Sequence, residues 1–549
     1  MIDAICINQT SNDERNHQVA QTADIYARAS EVLIWLGEGD RDTKEAMKYI
    51  TKSADNLSKS ARRCKRGINV KMRALFSLPW WSRVWEIQEV AVATSDSIVL
   101  CGNLKAPWTA ISLALEAVNW CDSDHQGSTI SCNFDCEKRD KDISEKYRRK
   151  PCSSCHSGQC HNTLRLADLL RSTLHYEATD PRDRVFALLG LIGPNTTRFS
   201  QINDSKSESL IFEDATVNLW SNDDSGPTRI SRIDCSKSES LVYQDATVDL
   251  LMNAGFNWLV QAAYSGDPTL PSWCVDFSSS RWRPTHLDFA LGKDFFDNIT
   301  WAEVPPRRSF VYLHDNIVGP TLCVPEMQVD VIKRVHMFSK RGLKEWEVRP
   351  AYAGGIEALC SRNLQGVVQL LSDMSLCRLY VREAFEARQT PEEAAVRLRN
   401  GDHWKLVSHG CRAPDMGDEV CLAADEYRAI ESFANVGDEI WTSHELSQSD
   451  PAKDLRTHLL VLRCLTDIAY QTSDRYFFTT DTGFVGTAGH LVKEGDTICM
   501  FSGCPHPMAM RPQRDGTVKV VTWAYIHDLM HGKLFEEPGS WKEEIINIS

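Results

Sequence analysis

The residues best placed to do chemistry sit close together in Trp81-Ser-Arg-Val-Trp-Glu-Ile-Gln-Glu89. If this run is helical, Trp85 and Glu89 lie four residues apart on one face, and Val92 and Ala93 continue that face. Glu89 then projects from a partly apolar stripe beside an indole. A carboxylate held there favours its protonated form, the condition for a general base or a charge-stabilising group. The alternative is a structural Glu89 bonded to Arg83 or to loop backbone. A second constellation is Cys132-x3-Cys136-x15-Cys152-x2-Cys155, followed by His156, Cys160 and His161. Two close cysteine pairs across a loop can present four thiolates to one tetrahedral zinc. The x3 gap and the charged loop equally suit a reduced insertion without metal. A third is a local positive patch. Residues 56–85 hold no acid and eight bases, Lys59, Arg62, Arg63, Lys65, Arg66, Lys71, Arg73 and Arg83. Such a run either attracts phosphate-bearing or acidic partners or is a solvated surface. No Gly-rich phosphate loop follows a strand, which leaves a nucleoside triphosphatase without support.

The elements that must position these groups alternate between β and α over the first hundred residues. Ile2–Ile7 suits a strand ending in a loop at Asn8. Ser11 with Glu14 forms a capping-box pattern, and Val19, Ala23 and Tyr26 recur at helical spacing to about Ala29. Val32–Leu36 suits a buried strand stopped by Gly37 and Gly39. A helix from about Thr43 follows, another begins near Ser82 after Pro79, and Ile98–Cys101 is again a strand. This alternation implies a mostly parallel sheet covered on both faces.

Residues 121–160 interrupt the pattern with charge and cysteine. It resumes at Leu164–Leu170 and Asp180–Leu191, where Asp180, Pro181 and Asp183 suit the N-cap, N1 and N3 positions of a helix. Their acids therefore read as structural. Thr197–Trp220 and Thr228–Leu251 then repeat at an offset of 31, sharing Ser-Lys-Ser-Glu-Ser-Leu and Asp-Ala-Thr-Val. Two copies are too few for a solenoid and suggest a local duplication, one copy packed and the other looped out. Residues 270–460 are mixed, with helices near Leu364–Ala387 and Pro391–Arg399. After Arg475, short β runs between Gly-containing turns (Tyr476–Thr480, Gly483–Gly486, Thr497–Phe501, Val518–Trp523) suggest a small antiparallel module.

With 549 residues, 42% of them hydrophobic, the chain can bury several cores. Its 61 Lys+Arg against 75 Asp+Glu give a net charge of -14, unlike the positive field of a nucleic-acid binder. No transmembrane run or secretory signal is readable. Nineteen cysteines, an odd number, fit reduced thiols and a cytoplasmic location.

These segments together resemble the fungal heterokaryon incompatibility (HET) domain. Ile2-Asp-Ala-Ile-Cys-Ile-Asn-Gln9, Glu14-Arg15 with Gln18, Ile25-Tyr-Ala-Arg-Ala29, Val32-Leu-Ile-Trp-Leu-Gly37 and Arg83-Val-Trp-Glu-Ile-Gln-Glu89 match its blocks in order. Asp180 to Gly190, Ile233-Asp-Cys-Ser-Lys-Ser238 with Val242-Tyr243, and Leu270-Pro-Ser-Trp273 with Asp276 resemble the continuation in large members. Cys274-Val275 replace residues commonly Val-Pro there. Phe478-Thr479, Gly483–Gly486, Gly495-Asp496, Arg511 and Ala524-Tyr525 through Met530 resemble the C-terminal β module.

The resemblance implies an α/β fold with a flavodoxin-like HET domain similar to Toll/interleukin-1 receptor (TIR) domains. Residues 1–192 would form that domain, with the cysteine-rich insertion at 121–160. A duplicated linker at 193–265, a mixed α+β region at 266–460, a β module at 461–535 and a tail at 536–549 would follow. The HET first strand, with its Tyr-x-Trp-Gly segment, would be missing before Ile2, removing one wall of a nucleotide pocket; the expectation is an N-terminally truncated or degenerate member. The implied role is nonself recognition and programmed cell death, through protein partners or self-association. By analogy with TIR domains, Glu89 would act in hydrolysis of NAD as substrate, and Trp85, Arg83 and Asp3 would contact the nucleotide. The alternative is a non-enzymatic interaction module or an inactive member. Zinc at the four cysteines would be structural.

Overall fold

The computed structural model describes residues 7–8, 10–55, 68–111, 114, 166–173, 176–192, 233–254, 258–263, 267–278, 312–316, 319–338, 355–399, 468, 475–489, 491–501, 504, 506–526, 528–529 and 544–549. Asp3, Cys132, Cys136, Cys152 and Cys155 lie outside them, as do Lys59, Arg62, Arg63, Lys65, Arg66 and the first copy of the repeat. The chain divides into two compact units, Met1–Asn253 with Asp276–Ser280, and Ala254–Val275 with Arg281–Ser549.

In the first unit, α1 (Asn12–Arg28) starts where the capping pattern places it. Ser11 Oγ accepts the Glu14 N–H at 3.3 Å, and Glu14 Oε1 reaches back to the Asn8 N–H at 3.0 Å. The second capping box opens α2 (Arg41–Asp55). Asp40 Oδ1 accepts the Thr43 N–H and Thr43 Oγ1 accepts the Asp40 N–H, both at 2.8 Å. Between them lies β1 (Leu33–Trp35), parallel to β2 (Ile98–Cys101), which pairs antiparallel with β3 (Leu104–Pro107).

Val32–Leu36 is buried on one side only. Ile34 is 1% exposed, but Leu33 and Trp35 point to the opposite face and are 57% and 50% exposed. The inner face meets α2 and α3 (Ile68–Phe76) through Met47, Ile50, Met72 and Leu75. Trp81 completes that core, edge-on to Phe76 at 4.7 Å, with its indole N–H donated to the Leu75 carbonyl at 3.0 Å.

Four helices complete the described part of this unit: α4 (Glu86–Ala91), α5 (Leu166–Ser172), α6 (Asp183–Leu189) and α7 (Glu239–Ala254). α4 packs between α1 and α6. α7 carries the second copy of the repeat, and its Tyr243 and Val248 are fully buried.

The second unit begins with α8 (Trp258–Ala262) and is dominated by strands: β4 (Tyr312–Asn316), β5 (Gly319–Met337), β6 (Arg475–Thr480), β7 (Val485–Gly489), β8 (Thr497–Phe501), β9 (Met508–Pro512), β10 (Val518–Ile526) and β11 (Glu544–Ile548). Following the pairings β5–β6–β7–β10–β9–β8 and back to β5 closes an antiparallel six-stranded barrel. Closure removes the free edges that an open module would expose. Its interior holds Met327, Ile332, Phe478, Met500 and Ala524.

The barrel therefore extends beyond 461–535. It recruits β5 from the mixed region, and β11 comes from the residues expected to be a tail. Two prolines and two register shifts hide the alternation of β5 in the sequence, at Pro320 and Pro325, and between Gln328 and Asp330 and between Ile332 and Arg334. Asp496 and Arg511 join as a bidentate pair at 2.8 and 3.0 Å.

The long α9 (Gly355–Arg388) lies against β6, and α10 (Pro391–Arg399) follows it. Arg388 covers the Phe484 ring at 3.5 Å, beside Gly483. A Cβ at Gly483 would sit 2.4 Å from the Ala384 carbonyl oxygen, and its φ of +90° is left-handed. Gly483→Ala should therefore cost about 1–3 kcal/mol in denaturant unfolding. An unchanged midpoint would show that the turn has room to shift.

Candidate functional site

The segment carrying Glu89 is shaped by a contact distant in sequence. Pro79 starts a single 3-10 turn, Pro79–Ser82, and a helix from Ser82 would continue directly from it. Instead Arg83 is extended (φ -81°, ψ 130°) and forms a bridge with Glu177. The Val84 N–H donates to the Glu177 carbonyl at 3.0 Å, and the Glu177 N–H donates to that of Ser82. α4 begins only at Glu86, with Trp85 as its N-cap and no side-chain cap. Helical spacing still relates Trp85 to Glu89, but the first turn is held by tertiary contacts.

Those contacts distribute the three acids and the indole. Tyr26 of α1 donates its hydroxyl to Glu89 Oε1 at 2.7 Å, and Glu89 is half-buried. Arg83 does not serve Glu89: its guanidinium pairs at 2.8 Å with Glu86, which is 3% exposed. Asp183 stands at the start of α6, where its carboxyl feels Trp85. The Gln88 side-chain amide donates to the Ala187 carbonyl at 2.5 Å. Gly190 makes this packing possible, because a Cβ there would fall 2.7 Å from Gln88 Nε2 and 2.9 Å from Ala23 Cβ.

Asp180 and Asp183 have different surroundings. Asp180 Oδ1 accepts the Arg182 N–H at 3.1 Å and its Nε–H at 2.9 Å; Oδ2 accepts Arg182 Nη2 at 2.6 Å and Arg15 Nη2 at 3.3 Å. The Arg182 bonds, ahead of Arg15, hold this carboxyl below the usual carboxylate range. The remaining Arg182 nitrogen donates to the Cys235 and Lys237 carbonyls at 2.7 and 2.8 Å. Asn16 Oδ1 accepts the Cys235 N–H at 2.6 Å, and the Tyr243 hydroxyl donates to the Pro181 carbonyl at 3.0 Å. The structural reading of Asp180 fits this network.

Asp183 lacks such compensation. Burial pushes its carboxyl up to about 6, opposed by the nearby Trp85 indole; Asp180 adds to the rise, and Arg15 and Arg182 reduce it. Sequence reasoning took Asp183 as a helix-start acid and did not single out Tyr26. The available signal was in Asp-Pro-Arg-Asp-Arg, where one acid can satisfy the intervening arginine and leave the other without an ion partner.

Among the described residues, no group of three His, Cys, Asp or Glu side chains is placed to hold a metal. Seven cysteines there are free thiols. No described helix is long and apolar enough to cross a membrane.

Residues 2–89 match the family model described as heterokaryon incompatibility protein (HET). Glu89 is the last residue matched, and Asp183 lies beyond the segment. A protein of Neurospora crassa, heterokaryon incompatibility protein 6, OR allele, is 25% identical over 233 residues. That stretch is 35% of this chain and 34% of the relative, so the match spans about a third of each. No solved structure matches.

The Asp183 shift has a definite sign. A carboxyl that binds protons more tightly when folded stabilises the fold below its unfolded pKa, and that contribution is lost as pH rises through about 6. Between pH 4 and pH 7 the wild-type unfolding free energy should fall relative to Asp183→Asn by about 1–3 kcal/mol. Denaturant unfolding across that range measures it, and parallel pH profiles for the two proteins would contradict it.

Proposed function

We propose that this chain, which carries a heterokaryon incompatibility domain at residues 2–89, acts in nonself recognition between fused fungal cells and signals the death of incompatible ones. The domain match and the Neurospora relative support the role in incompatibility. The death signal and its chemistry are the further step.

That chemistry is cleavage of NAD at the bond between nicotinamide and ribose, with Glu89 as the working carboxylate. Breaking the bond releases neutral nicotinamide, water adds to the ribose carbon, and one proton leaves. The transition state is oxocarbenium-like, and a fixed carboxylate nearby stabilises its positive charge. The Tyr26–Glu89 hydrogen bond carries this reading. It fixes one carboxylate oxygen, and Oε2 accepts no hydrogen bond among the described residues.

Arg83 is occupied with Glu86 and half exposed, so a nucleotide contact from it would compete with a buried carboxylate. Trp85 is half-buried, and its ring offers a face on which a base could stack. Asp3 lies outside the described residues.

A second reading, signalling by association without catalysis, draws on the Leu33 and Trp35 face of the sheet, half or more exposed. Apolar side chains exposed as neighbours suit a partner or a second copy of the chain.

Incubation of the purified chain with NAD separates the two. Catalysis predicts release of nicotinamide, loss of turnover in Glu89→Ala, and turnover lowered roughly tenfold in Tyr26→Phe, whose missing hydroxyl leaves the carboxylate unfixed. Equal turnover by wild type and Glu89→Ala would remove Glu89 from the chemistry. Death signalling that survives Glu89→Ala in cells would favour association.

A further inference from the structure

We propose that the contact between Gly190 and Gln88 positions Glu89 against Tyr26, so that the carboxylate of the matched segment is held from outside that segment. Gln88 and Gly190 are then positioning residues and touch no reacting atom. The functional consequence rests on Glu89 being the working carboxylate; the geometry does not.

α4 needs outside support. Six residues are too few to hold a helix by their own hydrogen bonds, and its N-cap residue Trp85 makes no side-chain cap. At its start the Val84 N–H donates to the Glu177 carbonyl at 3.0 Å. That bond fixes where the chain enters α4 but not the direction in which the helix runs. The second fixed point is Gln88, 1% exposed, whose side-chain amide donates to the Ala187 carbonyl at 2.5 Å.

The end of α6 is shaped to receive that amide. Its last turn tightens, with the Leu191 N–H donating to Leu188 and the Ile192 N–H to Leu189. In a continued α-helix the Leu191 N–H would reach Ala187, so the tightening leaves that carbonyl to Gln88. Gly190 sits in the same turn with φ -67° and ψ -15°, right-handed helical values open to any residue. Torsion therefore does not call for glycine there, and space does. A Cβ at Gly190 would fall 2.7 Å from Gln88 Nε2, 3.0 Å from Gln88 Cδ and 2.9 Å from Ala23 Cβ. The Gln88 amide could turn away, but the Ala23 Cβ is fixed to its backbone. An added methyl must push α1 and α6 apart by about half an ångström or more to reach ordinary carbon contact.

Ala23 and Gln88 are the neighbours of the two residues that form the site. Tyr26 follows Ala23 by three positions on the same face of α1, and Glu89 follows Gln88 directly. The convergence of α1, α4 and α6 on Gly190 thus sets the gap across which the Tyr26 hydroxyl reaches Glu89 Oε1 at 2.7 Å. The family match ends at Glu89, whereas Glu177, Ala187 and Gly190 all lie beyond it. Residues 2–89 carry the carboxylate, and the 177–190 stretch holds it in place.

The test uses the full chain labelled with 3-fluorotyrosine, with the Tyr26 fluorine resonance identified by its loss in Tyr26→Phe. Glu89→Ala gives the displacement of that resonance when the carboxylate acceptor is gone. Gly190→Ala should move it in the same direction. So should Gln88→Met, which keeps the length of the side chain but has no N–H to donate, and which keeps the test decisive if Gly190→Ala fails to fold. A Tyr26 resonance that stays at its wild-type position in either folded variant, or moves the opposite way, overturns the proposal.

Where the wild type turns over NAD, Gly190→Ala and Gln88→Met should each lower kcat about tenfold with KM within about twofold, as misplacement of a reacting group does. An unchanged kcat, or a loss confined to KM, would overturn the positioning role. A wild type that releases no nicotinamide while the Tyr26 resonance shifts as expected would fail the Glu89 reading alone and leave the geometry standing.

Discussion

The Asp180 carboxylate, shared between Arg182 and Arg15, is the interaction on which the described part of the first unit depends. It closes the Asp-Pro-Arg-Asp turn onto itself and ties that turn to α1. The same guanidinium continues to the Cys235 and Lys237 carbonyls, so the segment entering α7 is placed by it too. Asn16 and Tyr243 then close the arrangement from either side. Hydrogen bonds to charged groups are worth about 1.5–3 kcal/mol each when one partner is removed, more than neutral ones, because the deserted partner stays partly buried. Parts of the chain more than 200 residues apart, such as Asn16 and Cys235, are thereby brought together.

This arrangement also divides labour between two acids of the same turn. Both arginines go to Asp180, and Asp183 is left half-buried without an ion pair of its own among the described residues. A carboxyl that costs stability near neutral pH is the kind of local inconsistency expected where function outweighs packing. Its carboxyl feels Trp85, in the turn that leads to Glu89. Gly190 lets α6 approach closely enough for Gln88 to reach Ala187, so the end of the Asp180–Gly190 segment holds α4.

Local rules were legible in the sequence, and contacts distant along the chain were not. Ser11 with Glu14 is a self-contained cap and α1 begins where it stands; the helix expected from about Thr43 begins at Arg41, behind an Asp40–Thr43 cap that the sequence reading had not named. Pro391 likewise opens α10. Ile98–Cys101 is a strand with the expected bounds. The start of α4 was misread because Glu177, far along the chain, pulls Arg83 and Val84 into an extended pairing that no local pattern encodes. β5 escaped notice because its prolines and register shifts interrupt a period of two. Glu89 was found as a residue, but its partner Tyr26 depends on how α1 and α4 pack together.

Hydrogen–deuterium exchange on the full chain with Arg182→Ala tests most directly whether that one turn organises the unit. Exchange should rise together at the start of α1, in residues 233–238, at the start of α7 and in α4, because each loses a direct or one-step link to the turn. Faster exchange confined to residues 180–184, with α1, α4 and α7 as protected as in wild type, would contradict the account.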